Sequence, residues 1–400
     1  MRIVHVTSFF QPGMGYQENC LAPAQARLGH EVSIITSDRM PSEAALMGDP
    51  RTTGRAREEV DGVTVIRLRS LWQWHAHNWV YLKGLWAEIK ALDPDIIHAH
   101  NIVTIPTWQV LSGNRQRRYP LVLDDHNNYF NIQPYTFQKK VFYGMFRRLL
   151  RPLWIGSVGR VMPMSHEVQR LVRTEFGIDD RLITLVHLGA DPERFKRNVE
   201  RGAAVRARLG ISPSAVVIVN AGKITRHKDN HVLLEAMSEV VKRDPRAHLL
   251  MIGDAPPEYR AELEGVIARC GIAAKVAWIA FAENAELSSF YSAAGIGVWP
   301  GDWSITVLEA ASCELPLVLP DREYALYSVG NENGILFERG SAHALAEALT
   351  ALVSDDVRRG AMGRRSRELI EKKLNWDAIA RETINVYQEV ITGRGGKPHR

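Results

Sequence analysis

Cysteine is scarce in this chain of 400 residues, and long apolar runs are absent. The three cysteines, Cys20, Cys270 and Cys313, are scattered without the spacing of zinc ligands, which argues against a disulfide framework or a cysteine-based metal site. Every apolar run stops well before the roughly 20 residues that a transmembrane helix needs. Met1 and Arg2 lead directly into a strand-like run without a signal-peptide pattern, so we expect a cytoplasmic protein.

Charge is present in ordinary amounts but is unevenly distributed. Residues 1–190 hold 22 Lys and Arg against 17 Asp and Glu, whereas residues 191–400 hold 28 of each. The first half should therefore meet an anionic partner. No recognised nucleic-acid-binding motif accompanies the basic residues, so we predict that nucleic acid is not that partner.

Strand-like and helix-like segments alternate along the chain. Nearly continuous apolar strands separated by helices indicate parallel sheets covered on both faces. The predicted strands are 2–9, 31–37, 62–68, 95–100, 121–126 and 158–165 in the first half, and 215–223, 248–254, 275–281, 296–300 and 315–320 in the second. We predict an α/β fold with two tandem doubly wound, Rossmann-like domains, 1–190 and 191–375, and a terminal helix and tail at 376–400.

Two segments of the first half are rich in aromatic residues. Basic and apolar residues alternate at helical spacing over 138–154, where the basic set is Lys139, Lys140, Arg147, Arg148 and Arg151 and the apolar set is Phe142, Phe146, Leu149, Leu150 and Trp154. Such a helix lies either on an anionic membrane surface or with its apolar stripe in the core. Within a segment expected to contain a helix, Trp72, Trp74, Trp79 and Trp86 indicate an acceptor pocket, an interfacial belt or core packing.

Polar clusters follow several predicted strands, at the sheet edge where open α/β folds bind ligands. Gly13 and Gly15 follow the first strand and allow close backbone approach to a phosphate or sugar. Glu18 stands where a dinucleotide fingerprint has its third glycine, and "IITSDR" offers only Asp38 at the end of the second strand. A nicotinamide dehydrogenase is therefore disfavoured. His126 ends another strand and is either a group that binds or transfers protons at a substrate, or a structural histidine.

Two further clusters lie in the second half. Lys223 and Lys228, in "GKITRHKD", offer two cations to one diphosphate, unless the loop is simply a solvated basic one. In "GVWPGDWSITVLEAASCELPLVLPD" a loop joins a strand to a helix that carries one acid, Glu309. The amides of Ser304, Ile305 and Thr306 would bind phosphate at the start of this helix, and Glu309 would accept hydrogen bonds from a ribose diol.

These segments, in this order, resemble the nucleotide-sugar-dependent retaining glycosyltransferases of the GT-B fold, family four. The resemblance rests on "DIIHAH", His126, "LGADPERF", "GKITRHKD", "MIGD", "LSSFYSAAGIGVWP" and "VLEAASCELPLVLPD", and it covers nearly the full chain. It implies two Rossmann-like domains that face each other across a cleft, with a terminal helix that crosses back to the first domain. The first domain would bind the acceptor and the second would bind the nucleotide sugar.

The resemblance also implies roles for particular residues. Lys223 and Lys228 match the basic pair on the donor diphosphate, Glu309 the acid on the ribose, and His126 the histidine near the transferred sugar. The glycine loop at Gly13 and Gly15 matches the loop that faces the donor phosphates from the first domain. The further donor-binding positions are Gly253, Asp302, Ser304, Ile305 and Thr306.

The chain departs from the family pattern at several positions. The family usually has a second Glu eight residues before the ribose-binding acid, and this chain has Gly301 there. Either Asp302 takes over the hydrogen bonds of that acid to the donor sugar, or the backbone loop suffices. Asp229 and Glu314 stand where the family has glycine, and Leu188 replaces an asparagine.

The activity implied by the resemblance is a retaining, metal-independent hexosyltransferase without a cofactor, in which the lysines take the place of a divalent ion. Its partners would be a nucleotide sugar, a carbohydrate or lipid-linked acceptor of cell-surface polysaccharide or glycolipid synthesis, and an anionic membrane surface. The protein would then lie peripherally at the inner face of the membrane. Two alternatives stay open: a sugar-nucleotide epimerase of the same fold, and a catalytically inactive partner subunit.

Overall fold

A computed structural model describes residues 1–13, 15–40, 57–74, 79–126, 136–330 and 332–394. The chain forms two compact units. Unit 1 consists of Met1–Leu188 together with Trp376–Arg400, and unit 2 of Gly189–Asn375. Each unit is built on its own mainly parallel sheet flanked by helices, which confirms the predicted α/β fold with two Rossmann-like domains.

Unit 1 contains a seven-stranded sheet and a separate hairpin. The sheet strands are β1 (Arg2–Val6), β2 (Glu31–Ser37), β3 (Arg57–Val60), β4 (Val63–Leu68), β7 (Ile96–Ala99), β8 (Leu121–Asp125) and β9 (Arg160–Pro163), and the hairpin strands are β5 (Ser70–Trp74) and β6 (Trp79–Leu82). The sheet order is β3-β4-β2-β1-β7-β8-β9, with β3 antiparallel at one edge. Part of the segment expected to be helical is thus a β-hairpin, because its dense aromatic residues favour strands.

The helices of unit 1 cover the sheet. They are α1 (Gln17–Arg27), α2 (Leu85–Leu92), α3 (Ile105–Gly113), α4 (Phe137–Met145), α5 (Arg151–Trp154) and α6 (His166–Thr174), and a π-helical stretch, Phe146–Leu150, joins α4 to α5. The core combines strand residues with aromatic side chains of this joined segment, among them Tyr143, Phe146 and Trp154. The predicted apolar stripe is wrong at Leu149, which is exposed.

Unit 2 has a sheet of six parallel strands in the order β12-β11-β10-β13-β14-β15. The strands are β10 (Val216–Ala221), β11 (Ala247–Ile252), β12 (Val276–Ile279), β13 (Ile296–Val298), β14 (Leu317–Pro320) and β15 (Gly334–Phe337). The helices are α7 (Val199–Arg208), α8 (Asn230–Arg243), α9 (Pro257–Cys270), α10 (Asn284–Ala293), α11 (Thr306–Ser312), α12 (Ala342–Val353) and α13 (Asp356–Lys372). The strand order reverses between β10 and β13, and such a switch point forms a crevice beyond the carboxyl ends of the strands.

The last helix, α14 (Trp376–Arg394), belongs to unit 1 although it follows unit 2 in the chain. It packs against α1, where Arg27 Nη2 donates to Asp377 Oδ1 at 2.7 Å. Its Tyr387 reaches the buried centre of the sheet. Among the helices of the described segments, none combines the length and the apolar character required to cross a bilayer.

Candidate active site

A pocket of unit 2 lies at the switch point, where β10 and β13 end. Its lining includes four predicted site residues, Lys223, Lys228, Asp302 and Ser304, together with Gly222. Because both strands are parallel, the loops that follow them meet at one edge of the sheet. The structure thus brings together residues that lie about 80 positions apart in the sequence.

Lys228 ends a short 3-10 turn between β10 and α8. Its Nζ donates to the backbone carbonyls of Asp302, at 2.9 Å, and Trp303, at 3.0 Å. Burial lowers the pKa of Lys228 to about 8, although the Asp302 carboxylate opposes that shift. The group is therefore still mainly a cation at neutral pH, and it ties the loop after β13 to the loop after β10.

Arg339 is a member of this cluster that the sequence analysis missed. Its Nη1 lies 3.3 Å from Asp302 Oδ1, and its Nε donates to Asp229 Oδ2 at 2.9 Å. Arg339 closely follows β15, a strand that the apolar pattern did not reveal. Asp302 is 2% exposed, and its carboxylate contacts the Arg339 guanidinium. This ion pair stabilises the loop that follows β13.

Gly301 explains why the family's second acid has no place here. A Cβ built on Gly301 would lie 2.4 Å from the carbonyl oxygen of His227 and 2.5 Å from the carbonyl carbon of Lys228. Real Cβ atoms do not approach backbone atoms that closely, so no larger residue fits without moving the lysine loop. The Gly301 carbonyl also accepts a hydrogen bond from Tyr324 OH at 2.9 Å. Close backbone packing therefore occupies the space of a side chain.

Glu309 lies within α11 and is 2% exposed. Its Oε1 accepts from Asn284 Nδ2 at 2.9 Å, and its Oε2 accepts from Tyr291 OH at 3.4 Å. Burial raises the pKa of Glu309 to about 7, with these two hydrogen bonds and Arg194 opposing the shift. Glu309 is not among the residues that line the pocket at Lys228; it lies one turn into the helix that follows Ser304.

The start of α11 is anchored on β10. Thr306 Oγ1 donates to the Ala221 carbonyl at 2.9 Å and lies 2.9 Å from Ser304 Oγ. Trp299 Nε1 donates to the same hydroxyl at 3.0 Å. Ile305 has a helical backbone, with φ −56°. These contacts fix the start of α11 on β10. Of the three predicted residues, Ser304 lines the pocket, whereas Ile305 and Thr306 follow it in the chain and are not among the lining residues.

Gly253 packs against the backbone of Gly222, a residue that lines the pocket. Its φ is +145°, and a Cβ at this position would lie 1.9 Å from the carbonyl oxygen of Gly222. Only glycine combines this conformation with this close approach. Because Gly222 lines the pocket, Gly253 acts on the site through the backbone.

Two departures from the family pattern keep the backbone that glycine favours. Asp229 has φ +53° and Glu314 has φ +62°, both in the left-handed region. Aspartate tolerates this conformation better than most residues, and Arg339 holds its carboxylate. Glu314 Oε2 lies 3.7 Å from Arg197 Nη1. Leu188, the third departure, is buried at the end of the first segment of unit 1.

In unit 1, His126 follows β8 and belongs to a cluster of imidazoles around Asp124. The Oδ2 atom of Asp124 lies 3.3 Å from His126 Nε2, 2.6 Å from His100 Nδ1 and 3.1 Å from His98 Nε2. Of the three rings only His126 is partly exposed. Sequence reasoning singled out His126 alone, although the alternation in "HAH" would place His98 and His100 on one face of the strand predicted at 95–100.

These groups include the only described sets spaced for a metal ion. His5, His98 and His100 form one set, and His100, Asp124 and His126 the other, each with ligand atoms within 4.8 Å of one another. Ligands at about 2.0 to 2.1 Å from a tetrahedral ion lie about 3.3 Å apart. The 2.6 Å separation of His100 Nδ1 and Asp124 Oδ2 is instead that of a charge-assisted hydrogen bond.

The glycine loop after β1 is also in unit 1. Gly13 has φ +81°, and a Cβ there would meet nothing within 4 Å. The left-handed conformation rather than crowding therefore explains glycine at this position. Gly15 lies in the same loop.

An aromatic pocket of about 660 Å³ lies beside the hairpin of unit 1. Its walls include Trp72, Tyr81, Trp86 and Trp108 from β5, β6, α2 and α3. The structure thus brings together two of the four predicted tryptophans. Residues 75–78 and the side chain of Trp74 lie outside the described part of the chain.

Comparison with known proteins identifies the class to which this fold and site belong. Residues 203–369 match the family described as "Glycosyl transferases group 1", and residues 19–194 match the one described as "Glycosyltransferase Family 4". The protein is therefore a glycosyltransferase with the GT-B fold. Within that class, the chain belongs to the group 1 glycosyltransferases, as its motifs predicted.

Individual relatives are distant but extend over much of the chain. An uncharacterized glycosyltransferase of Methanocaldococcus jannaschii is 24% identical over 407 residues, which cover 97% of this chain and 98% of the relative. A D-inositol 3-phosphate glycosyltransferase of Streptomyces bingchenggensis is 28% identical over 60% of this chain and 54% of its own length. The crystal structure of Anabaena HepE with UDP and glucose has a TM-score of 0.71 at 17% identity and covers 97% of this chain and 100% of that chain.

Proposed function

We propose that this glycosyltransferase transfers a sugar from a nucleotide diphosphate sugar to an acceptor hydroxyl with retention at the anomeric carbon. The observation that carries the proposal is the pocket at the switch point of unit 2, which Lys223 and Lys228 line together with Ser304, in the loop that leads into α11. Two cations beside a helix N-terminus suit a diphosphate. The UDP bound by the Anabaena protein supports a donor of this class.

In the proposed reaction the bond from the anomeric carbon to the diphosphate oxygen breaks, and its electron pair leaves with the diphosphate. The acceptor oxygen bonds to the same carbon on the same face, and its proton passes to a diphosphate oxygen. Lys223, Lys228 and the backbone near Ser304 would stabilise the leaving charge without a metal ion or cofactor. We assign no nucleophile for a double displacement, and the Asp302 carboxylate lies buried against Arg339.

The donor assignment is tested by thermal-shift measurements with UDP-, GDP- and ADP-sugars, because a ligand that binds the native state raises the melting temperature. We expect one nucleotide class to raise it in the wild type. Lys228→Ala and Glu309→Ala should each abolish that shift, while Lys242→Ala, an exposed lysine of α8, should keep it. Retention of the shift in both site variants would contradict the site. Release of an altered sugar without any acceptor would favour the epimerase instead.

We further propose that unit 1 binds an anionic membrane surface from which a lipid-linked or carbohydrate acceptor of cell-surface polysaccharide or glycolipid synthesis is drawn. A row of exposed apolar side chains, spaced four residues apart, runs along the helical segment from α4 to α5: Phe137, Val141, Met145, Leu149 and Leu153. Lys140 and Arg148 flank the row and are exposed. Apolar burial together with basic residues is the combination that binds anionic bilayers.

The aromatic pocket lies next to this segment, because Trp108 of its wall is 6.1 Å from the ring of Phe146. It would take the apolar part of a lipid-linked acceptor. Both features thus support a protein that lies peripherally at the membrane.

Vesicle sedimentation tests the membrane proposal. We expect binding to anionic vesicles at low salt and little binding to neutral ones. The double variant Met145→Ser/Leu149→Ser should bind about tenfold more weakly. Val357→Ser removes an even more exposed apolar side chain from unit 2 and should bind like the wild type. Absence of wild-type binding to anionic vesicles would end this proposal and leave the donor site unaffected.

A further inference from the structure

A chain of hydrogen bonds lies at the buried centre of unit 1. Its members come from β1, β7, β8, α1 and α14, and all are buried: His5, Gln25, His98, His100, Asp124 and Tyr387. The chain contains three imidazoles, a carboxylate and a phenol, and none of them can hydrogen-bond to solvent. Each short contact must therefore pair a donor with an acceptor, and this pairing indicates which nitrogen or oxygen carries each proton.

One branch of this chain leads through His5 to His100. Gln25 Oε1, an acceptor, lies 2.8 Å from His5 Nε2, so that nitrogen donates. Neutral His5 then offers only the lone pair of Nδ1 to His100 Nε2, 3.0 Å away, which must donate. Since His100 Nδ1 also donates to Asp124 Oδ2 at 2.6 Å, both nitrogens of His100 carry protons. His100 is an imidazolium bound to a carboxylate.

The other branch leads through Tyr387 to His98. Gln25 Nε2 donates to Tyr387 OH at 3.2 Å, and Tyr387 OH lies 2.7 Å from His98 Nδ1. The phenol donates there, so the proton of His98 is on Nε2. That nitrogen lies 3.1 Å from Asp124 Oδ2 without hydrogen-bond geometry. His98 is neutral. In agreement, burial and the charge of His100 lower the pKa of His98 to about 4, whereas Asp124 outweighs burial and raises the pKa of His100.

His126 is the member of the cluster that reaches solvent, with 26% of its side chain exposed. We propose, on the basis of the function proposed above, that Asp124 is a positioning residue that holds His126 as an imidazolium. The carboxylate binds Nε2–H, and Nδ1–H is left to donate to a substrate oxygen. His126 then acts as a hydrogen-bond donor rather than as a general base, which agrees with transfer of the acceptor proton to the departing diphosphate.

The charges around His126 favour this state. Burial alone would lower the pKa of His126, but Asp124 outweighs it, and Glu18 of α1 and Asp125 of β8 add to the increase. The other titratable rings of the cluster are His5 of β1, His98 of β7 and His100, the residue after β7, and of these only His100 is a cation. The buried Asp124 carboxylate thus serves two imidazolium groups. Burial alone would raise the pKa of Asp124, but His100 and His126 outweigh it and hold that pKa well below its ordinary value.

The experiment is a histidine NMR titration of ligand-free full-length protein labelled with ¹⁵N-histidine. The signals lost in His126→Gln identify the His126 ring. We expect both of its nitrogens to be protonated at neutral pH and to titrate above the ordinary value of about 6.5. A ring that is neutral at pH 7 would overturn the proposal. This measurement needs no donor, so its failure is distinct from failure of the thermal shift with sugar nucleotides.

Asp124→Asn supplies the second arm. Loss of the carboxylate should lower the pKa of His126 by about one to three pH units and move the alkaline limb of kcat/KM to lower pH by the same amount. Asp125→Asn removes an equally buried acid that instead accepts from the Ile102 amide, and should shift the pKa much less. An unchanged His126 pKa in Asp124→Asn would overturn the proposal. Where that variant does not fold, the wild-type titration decides alone.

Discussion

Glu309 shows how its surroundings set the charge of one side chain. Both carboxylate oxygens are occupied by neutral donors, Asn284 and Tyr291, and burial raises its pKa to about 7 from the ordinary 4.5. Between these two values the folded protein binds a proton that the unfolded chain releases. Stability therefore falls as pH rises through this window.

We predict that Glu309→Gln removes this pH dependence. The stabilising contribution of the protonated carboxyl is complete below pH 4.5 and is lost as pH rises through about 7, so the wild type should lose roughly 3 kcal/mol that the variant keeps. Urea unfolding at several pH values measures the difference. Glu286→Gln, a change at an exposed acid of α10, should leave the wild-type dependence intact. Equal slopes in the wild type and Glu309→Gln would contradict the assignment.

We predict that the ionisation of Glu309 changes donor affinity in the opposite direction to its effect on stability. A ribose diol donates hydrogen bonds, so it favours the ionised carboxylate, and affinity should rise as pH increases through about 7. It should fall again as Lys228 loses its proton near pH 8. Calorimetric titration with the donor nucleotide should thus show a maximum between these values. Glu309→Gln should lose the acidic limb only, and Lys228→Ala should abolish binding.

The position of a single residue in the fold could be predicted from the sequence where it follows a clear local pattern. Lys223 and Lys228 follow a strand that the apolar run marks clearly, and Glu309 lies in the helix after another such strand, so the sheet-edge rule predicted the edge of the sheet at which they lie. Their roles in donor binding stay predictions. The contact of Arg339 with Asp302 and that of His100 with Asp124 could not be predicted. Each contact depends on which strands are neighbours in the sheet, and local patterns along a single sequence do not reveal the strand order.

At the scale of elements, continuous apolar strands were predicted within a few residues. The edge strand β3 was missed because "REEV" is charged and mainly exposed, and β15 because "GILF" is short and only partly buried. The tryptophan-rich segment was assigned to a helix and contains the β5–β6 hairpin. In these three segments the strand conformation depends on pairing with a neighbouring strand. Local hydrophobic periodicity does not reveal that pairing.

The loop after β13 carries an element-scale prediction. Gly301→Ala should destabilise unit 2 by about 2 kcal/mol, because its Cβ would overlap the backbone of His227 and Lys228. Gly301→Glu, which restores the family's acid, should abolish donor binding instead of improving it. Circular dichroism melting and the donor thermal shift measure both effects.

The control for this loop is Gly265→Ala within α9. A Cβ there would meet only the flexible end of Arg269, at 3.6 Å. Replacing a helical glycine by alanine should stabilise the protein by about 0.5 to 1 kcal/mol. If Gly301→Glu bound donor as well as the wild type, the loop would be more adaptable than its packing indicates.

At the scale of the whole molecule, α14 makes the stability of unit 1 depend on residues encoded after unit 2. Tyr387 OH accepts from Gln25 Nε2 and lies 2.7 Å from His98 Nδ1, and all three side chains are buried. Removing the hydroxyl leaves two buried polar groups without this partner. Such losses cost about 1 to 3 kcal/mol, more than the net value of a hydrogen bond.

Tyr387→Phe should therefore weaken unit 1 selectively. Amide hydrogen exchange in β1 and β7 should accelerate by about tenfold to a hundredfold, because about 1.4 kcal/mol corresponds to a factor of ten in the opening equilibrium. Exchange in β10 and β11 should not change, since the contacts of Tyr387 lie within unit 1. Gln388→Ala, at an exposed neighbour on α14, should leave both sheets as in the wild type. Equal acceleration in both sheets would instead show that the two units open as one cooperative body, so that the terminal helix stabilises the whole chain and not the unit against which it packs.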